Sequence, residues 1–117
     1  MPPFDPAQFL RVAVSLAAQD MDEAALRTAV GRAYYSVFLV VRDKLGVTTT
    51  ERVHGEVIRV LARRNRKATD QMRYLLNLRI AADYQLTPEG LGNQDWKNNW
   101  IRAQGAVAII QPLLSRL

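Results

Sequence analysis

The chain has 117 residues, no cysteine, 49% hydrophobic residues and a formal net charge of +5. Its length suits one domain spanning residues 1–117, and its hydrophobic content argues against disorder. The absence of cysteine excludes disulfides, thiolate metal ligands and cysteine nucleophiles. No apolar run approaches the roughly 20 residues of a membrane span, and no secretory signal opens the sequence. We therefore expect a cytoplasmic protein that has no membrane partner.

Helical periodicity dominates the sequence, and strand signals are nearly absent. A first helix is predicted over about residues 5–18, with Asp5 as its N-cap. The second helix is predicted to run from about residue 23 to residue 45. Asp22 is the expected cap at its start, and Gly46 is the expected glycine just beyond its end. Leucine, valine and alanine at three- and four-residue spacing form its predicted core stripe.

A third helix is predicted over about residues 51–64, with the threonines at 48–50 as candidate caps. A basic loop follows, and Thr69 is the candidate cap of a fourth helix that runs to about residue 84. Each of these helices carries apolar residues at helical spacing. The pattern therefore predicts that both bury one face.

The C-terminal part contains the clearest loop signal and the last helix. Residues 86–93 are rich in glycine and include one proline, which is typical of a loop. The last helix is predicted over about residues 94–116, and Pro112 should kink or end it. The sequence thus predicts an all-α bundle.

Positive charge is concentrated between residues 59 and 73. This segment carries six basic residues and one acid, Asp70, so the rest of the chain is neutral. Arginine outnumbers lysine 13 to 3 in the chain, which suits bidentate contacts with phosphate or carboxylate groups. Such a segment indicates a phosphate-rich partner, while a solvated connection between helices is an equal alternative. The basic residues are Arg59, Arg63, Arg64, Arg66, Lys67 and Arg73.

Two charges stand where the fourth helix should be apolar. At about 100° per residue, Arg79 and Asp83 fall near the middle of the arc that carries its leucines. Leaving either charge buried and unpaired costs several kcal/mol, whereas a well-bonded pair roughly breaks even. One hypothesis is a structural ion pair that ties this helix to Arg32, Tyr35 or another neighbour. The alternative is a groove or dimer cleft in which Arg79 meets phosphate.

Two further features are candidates for chemistry. Gly31, Arg32 and Tyr35 share a face of the second helix, where glycine costs about 1 kcal/mol relative to alanine. They can present a cation and a hydroxyl to a ligand or simply pack against a helix. His54, the only histidine, lies on the predicted apolar side of the third helix, which is more typical of a core residue than of a catalyst. The sequence offers no ligand set for zinc and no phosphate-binding glycine loop, so no metal or cofactor is predicted.

Three segments share their pattern with one family. RTAVGRAYYSVFLVVRDKL resembles the R-x-A-x-x-R-A-Y-Y-x-x-F helix of small prokaryotic HEPN-domain proteins. LRIAADYQL is similar to the L-R-x-x-A-D-Y helix end of one branch, and TERVHGEV resembles the start of the third helix in that branch. The resemblance covers about residues 27–84 and, more loosely, the final helix.

The resemblance implies a fold, partners and a site. The implied fold is an up-and-down bundle of four or five helices that forms a homodimer, with a groove between its long helices. The implied roles lie in RNA metabolism: metal-independent endoribonucleases, toxins that accompany a minimal nucleotidyltransferase antitoxin, and parts of antiviral defence systems. The implied ligand is RNA or a nucleotide. The implied groove residues are Arg32, Tyr35, Arg79, Asp83 and Tyr84.

The chain departs from the catalytic pattern of this family at one place. Catalytic members carry a histidine four to six residues after an arginine that corresponds to Arg79. Here Asp83, Tyr84 and Gln85 occupy those positions, so cleavage by the usual mechanism is not expected. His54 is an alternative source of an imidazole. The sequence leaves three hypotheses: an RNA- or nucleotide-binding dimer, a silent subunit that docks a protein partner, and an atypical ribonuclease that uses His54 with Arg79.

Overall fold

The chain folds as an all-α bundle in a computed structural model that describes residues 3–19, 22–86 and 95–117. Within these ranges there are five α-helices, a short terminal 3₁₀ helix and no strand. The predicted fold class is confirmed. The α-helices are α1 (Ala7–Gln19), α2 (Glu23–Leu45), α3 (Val53–Leu61), α4 (Arg66–Tyr84) and α5 (Trp96–Ile110), followed by the 3₁₀ helix Gln111–Arg116.

Helix α2 is the central element of the bundle. It packs against α1, α3, α4 and α5, and buried apolar side chains from all five helices form one continuous cluster. Each large aliphatic side chain buried in this way contributes about 1.5–3 kcal/mol. The predicted stripe of α2 lies in this core, where five of its residues are at most 2% exposed. They are Leu26, Val30, Ala33, Val37 and Val41.

The predicted ends of α1 and α2 are confirmed by their caps. The Asp5 carboxylate accepts the Ala7 N–H at 3.0 Å, and the Asp22 carboxylate accepts the Ala25 N–H at 2.8 Å. Gly46 ends α2 in the left-handed conformation, at φ 68°. Glycine adopts this conformation without the steric cost that a Cβ brings.

The predicted start of α3 is wrong. The helix begins at Val53, and its N-cap is Arg52, which adopts a left-handed conformation at φ 50° and makes no side-chain capping bond. The threonines at 48–50 precede the cap, and the Thr49 hydroxyl donates to the carbonyl of Glu51 instead. The threonines therefore lie outside the first turn of α3 and do not cap it.

The predicted start of α4 is also wrong. Asn65 caps the helix by accepting the Ala68 N–H at 2.9 Å, and Thr69 lies one turn inside, where its hydroxyl donates to the Asn65 carbonyl at 2.7 Å. Asparagine is among the strongest N-cap residues, and arginine and lysine are good helix formers. Much of the predicted basic loop is therefore helix, and the α3–α4 connection shrinks to residues 62–65.

The last α-helix ends just before Pro112, as predicted. The Asp95 carboxylate accepts the backbone N–H of Lys97 at 3.0 Å and caps α5. Pro112 lies in the first turn of the 3₁₀ helix that replaces the α-helix after Ile110. The predicted loop over residues 86–93 lies outside the described residues except for Leu86, which is exposed.

No helix in the described ranges is long and apolar enough to span a membrane. The longest helix is α2 with 23 residues, and it carries charged residues along its length. The expectation of a cytoplasmic location stays a prediction.

Candidate functional site

An aromatic cluster at the meeting point of α2 and α3 holds the only histidine. The cluster consists of Tyr34, Tyr35, Phe38 and His54. The Tyr34 hydroxyl and His54 Nδ1 are 2.7 Å apart, and the His54 ring stacks on Phe38 with 4.5 Å between centroids and 28° between planes. Tyr34 is completely buried and also stacks on Phe38, with 5.3 Å between the ring centroids. Helix α2 therefore determines the orientation of the imidazole.

Helix α4 brings Arg79 to this cluster. The guanidinium carbon of Arg79 lies 5.4 Å from the Tyr35 ring centroid and 6.0 Å from that of Tyr34, within cation–π range. Arg79 is largely buried on the same face of α4 as Met72, as its predicted position in the apolar arc requires. The structure thus joins His54 and Arg79, 25 positions apart in the sequence, through two tyrosine rings.

Arg79 also pairs with Asp83. Its Nε lies 3.1 Å from Asp83 Oδ2, but the Nε–H is buried and points away from a hydrogen-bond acceptor among the described residues. The contact is therefore an ion pair without an aligned hydrogen bond. Asp83 is more exposed than Arg79. Arg79 therefore lies near the core and Asp83 at the surface. The arrangement has a feature of the structural ion pair and a feature of the groove, the two hypotheses drawn from the sequence.

The electrostatics of the cluster keep both hydrogen-bonded groups neutral. Burial lowers the pKa of His54 below its usual 6.5, and the nearby positive charges of Arg79 and Arg42 lower it further. Burial raises the pKa of Tyr34, so its hydroxyl remains protonated in alkaline solution. A neutral imidazole at neutral pH is able to accept a proton from a ligand.

A cavity of about 210 Å³ lies between α2 and the C-terminal end of α4. The Arg32 guanidinium at its edge is 5.2 Å from the Phe9 ring and 6.0 Å from the Tyr35 ring. It forms no ion pair with an acidic residue in the described part of the chain. The cavity is lined by Arg27, Thr28, Gly31, Arg32, Tyr35, Ala82 and Asp83.

Gly31 forms the floor of this cavity opposite Asp83. A Cβ at Gly31 would stand 4.0 Å from Asp83 Oδ1, which is ordinary van der Waals contact. Close packing of the two helices therefore does not require glycine at this position. The missing side chain instead leaves open space beside a carboxylate oxygen, which a longer side chain would fill.

Arg27 joins three helices at the rim of the cavity. Its Nη1 donates to the carbonyls of Ala81 and Ala82, at 3.4 and 3.3 Å, and its Nε pairs with Glu23 at 3.1 Å. Its guanidinium lies 4.7 Å from the centroid of the Trp96 ring in α5. The Ala81 carbonyl also accepts the backbone N–H of Gln85 at 3.0 Å, so Arg27 adds a second donor to it and a cation near the C-terminal end of α4.

The six basic residues of the 59–73 segment are all exposed and form a basic stripe across the end of α3, the connection and the first half of α4. Two have acidic partners: Arg59 contacts Glu56 at 2.6 Å, and Arg66 lies 4.0 Å from Asp70. No salt bridge joins the other four to an acid among residues 3–19, 22–86 and 95–117. These four are Arg63, Arg64, Lys67 and Arg73.

The structure separates some predicted site residues and adds others. Tyr84 is 73% exposed at the end of α4 and lines neither the cavity nor the aromatic cluster. Tyr34 and Arg27 were not predicted as site residues. A tyrosine next to a core stripe is itself a signal, because a buried hydroxyl requires a hydrogen-bond partner. No comparable signal marks Arg27, whose partners on α4 are more than 50 residues away.

Comparison of the chain with protein-family models, curated proteins and solved structures gives no match. Functional inference therefore depends on the residues and their arrangement. Among the described residues, no group of three or more histidine, aspartate or glutamate side chains is placed to hold a metal ion.

Proposed function

We propose that this chain is a HEPN-type RNA-binding protein that acts as a homodimer in the cytoplasm, within a toxin–antitoxin or antiviral defence module. The basic stripe carries the proposal. Four of its six cations are exposed and have no acidic partner in the described part of the chain, so their charge is available to a ligand. Phosphate contacts by such side chains supply most of the affinity of sequence-independent nucleic-acid binding.

The composition of the stripe favours a phosphate ligand. Five of its six cations are arginines, whose planar guanidinium donates two parallel hydrogen bonds to phosphate oxygens. Arg66 and Arg73 also line a cavity of about 240 Å³ on the surface of α4, which Thr69 and the acidic Asp70 line as well. The support for several phosphate contacts therefore comes from the exposed arginines of the stripe rather than from this cavity.

The salt dependence of RNA binding tests the proposal. Neutralising Arg63, Arg64 and Arg66 by substitution with glutamine removes up to three phosphate contacts. Each contact to single-stranded RNA contributes about 0.7 to the slope of log affinity against log salt, so the slope should fall by about 2. Affinity at 0.1 M salt should then fall roughly 100-fold. Fluorescence anisotropy with a labelled single-stranded RNA, at several salt concentrations, measures both quantities.

A matched control removes the same number of positive charges from outside the basic stripe. Arg11, Arg102 and Arg116 are exposed arginines outside the stripe, and replacing them with glutamine should leave the slope nearly unchanged. Equal losses in the two triple variants would contradict a localised RNA site. Wild-type binding that is absent or insensitive to salt would reject RNA binding. If the wild-type chain then bound an acidic protein, the result would favour the alternative hypothesis of a silent subunit that docks a protein partner.

The proposed dimer and partner have separate tests. Apolar side chains exposed at the end of α4, Ile80, Tyr84 and Leu86, support an interface there. Light scattering should report a mass near twice the 13.2 kDa of the chain, and a negative charge introduced at this interface by Tyr84→Glu should halve it. Copurification with a minimal nucleotidyltransferase encoded beside this chain would support the toxin–antitoxin assignment.

One observation favours a second function, an atypical ribonuclease. His54 and Arg79 both contact the two tyrosine rings of the aromatic cluster, and the pKa of His54 is lowered. In this reaction the imidazole takes the proton of the RNA 2′-hydroxyl, the 2′-oxygen attacks phosphorus, and the bond between phosphorus and the 5′-oxygen breaks. The leaving 5′-oxygen takes the proton from the imidazolium, which restores the neutral imidazole. The products are a 2′,3′-cyclic phosphate and a 5′-hydroxyl. Arg79 would stabilise the added negative charge on phosphorus.

Cleavage of an end-labelled RNA tests this second function. Activity should disappear in both His54→Gln and Arg79→Met and should persist in the exposed-surface variant Arg102→Gln. Cleavage that survives both cluster substitutions would reject this site. Binding without cleavage in the wild-type chain would leave only the RNA-binding role.

A further inference from the structure

The cavity between α2 and α4 presents an unusual set of polar groups. Asp83 Oδ2 faces Arg79 at 3.1 Å, which leaves Oδ1, on the Gly31 side, as an acceptor within the cavity. Arg32 contributes a guanidinium that pairs with no acid among the described residues and is fixed against aromatic rings. The cavity therefore offers one strong acceptor and one strong donor at separate points of its lining.

The remaining lining specifies the shape and polarity of a ligand. Tyr35 contributes an aromatic wall to the cavity, which suits the edge of a planar group. The Thr28 hydroxyl donates to the Ala24 carbonyl at 2.8 Å, so its own lone pairs remain available as acceptors. A volume of about 210 Å³ is smaller than that of a drug-sized pocket and suits a single planar base.

We propose that this cavity binds a guanine base. Guanine presents N–H donors at N1 and N2, which match the Asp83 carboxylate, and acceptors at O6 and N7, which match an arginine such as Arg32. Adenine presents an acceptor at N1, which a carboxylate repels. The proposal deepens the proposed RNA binding and rests on it, because it adds base selectivity to affinity that the basic stripe supplies without regard to sequence.

Calorimetric titration with mononucleotides tests the selectivity. Guanosine, inosine and adenosine 5′-monophosphates carry the same phosphate, so differences among them report the base alone. Guanosine monophosphate should bind about tenfold more tightly than adenosine monophosphate. Inosine monophosphate lacks the N2 amino group and should fall between them. Equal affinities for all three, or no binding, would overturn the proposal.

Two kinds of variant locate the binding. Asp83→Asn removes the carboxylate with little change in shape and should bring the ratio of guanosine to adenosine affinity close to one. Gly31→Leu fills the cavity without changing any charge and should abolish nucleotide binding. Gly105→Leu is the matched control, since Gly105 lies within α5 with open space around it. Loss of selectivity in Gly105→Leu, or its retention in Gly31→Leu, would contradict this site.

RNA binding distinguishes failure of this inference from failure of the proposed function. Two decamers of uridine, one with a single central guanosine, differ only at that base. The wild-type chain should bind the guanosine-containing decamer about tenfold more tightly, and Asp83→Asn should bind both equally. Equal, salt-sensitive binding by the wild type would overturn guanine selectivity while retaining RNA binding. Selective binding of guanosine monophosphate without RNA binding would identify a free nucleotide as the ligand and reject the proposed function.

Discussion

Helix α4 contains two Arg–Asp pairs with the same order and the same four-residue spacing. Arg66 is 93% exposed and its Nε lies 4.0 Å from Asp70, whereas Arg79 is 18% exposed and its Nε lies 3.1 Å from Asp83. The first pair points into solvent, and its arginine belongs to the basic stripe. In the second pair the arginine faces α2 and the two tyrosine rings. Identical local sequence patterns therefore produce one pair that is exposed at both ends and one pair whose arginine is largely buried.

The difference shows that the position on the helix, rather than the spacing of the charges, determines their environment. Surface pairs contribute little because water solvates both charges and the long side chains lose entropy when they pair. A buried arginine has no water to replace its partner, so removal of the acid leaves an uncompensated charge.

The largest effect should come from the buried aromatic cluster. Tyr34→Ala removes a completely buried ring and should lower the free energy of unfolding by about 3–5 kcal/mol. Replacing Arg63, Arg64 and Arg66 of the stripe with glutamine should change it by about 0.5 kcal/mol or less per site. Urea denaturation of the purified variants measures both. Comparable destabilisation in the two cases would remove the distinction between the regions.

The two Arg–Asp pairs should respond differently to loss of the acid. Asp83→Ala should cost about 1–3 kcal/mol, less than for a fully buried pair because Asp83 is 41% exposed. Asp70→Ala should cost about 0.5 kcal/mol or less. Adding Arg79→Met to Asp83→Ala should recover part of the loss, since it removes the unpaired charge. If the two alanine variants unfold at the same urea concentration, solvation does not distinguish the pairs.

A smaller effect should follow from the single hydrogen bond between Tyr34 and His54. Tyr34→Phe keeps the ring and its stacking but leaves His54 Nδ1 without this partner. The expected loss is about 1 kcal/mol. Tyr74→Phe is the matched control and should be neutral, because Tyr74 is an exposed tyrosine outside both the aromatic cluster and the proposed dimer interface. A neutral Tyr34→Phe variant would show that stacking alone holds the imidazole.

The smallest effect should be a pH dependence between pH 7 and pH 5. The pKa of folded His54 lies below the 6.5 of the unfolded chain. As the pH falls below about 6.5, the unfolded state takes up the proton first, so stability falls until the folded pKa is reached. The melting temperature should drop over this range and should drop less in His54→Gln. His54 is the only histidine, so an unchanged pH profile in this variant would contradict the assignment.

Both ends of α2 were predictable from the sequence. Asp22 and Gly46 define both ends of α2 through contacts within one turn. The start of α3 was not predictable in this way. Its N-cap is Arg52 in a left-handed conformation, and arginine is not a residue type whose presence predicts that conformation. At α4 the competing caps Asn65 and Thr69 were both present, and the asparagine begins the helix.

The candidate site was predictable only in part. The period of α4 placed Arg79 on the buried face, as the structure does. The same reasoning could not pair His54 with Tyr34, since a hydrogen bond across 20 residues depends on how α3 packs on α2. A helical wheel gives the directions of the side chains of one helix only, without the contacts between helices. The cavity exists only where two helices meet.

The contacts of Arg27 have a kinetic consequence. Its hydrogen bond to the carbonyl of Ala82 closes a chain segment of 55 residues, and its guanidinium also reaches Trp96 in α5. Closing so long a loop costs entropy before the contact stabilises anything, so this link should form after the folding transition state. In stopped-flow experiments Arg27→Met should therefore accelerate unfolding and leave the refolding rate nearly unchanged. Arg27 then governs how long the folded cavity persists rather than how fast the chain reaches it.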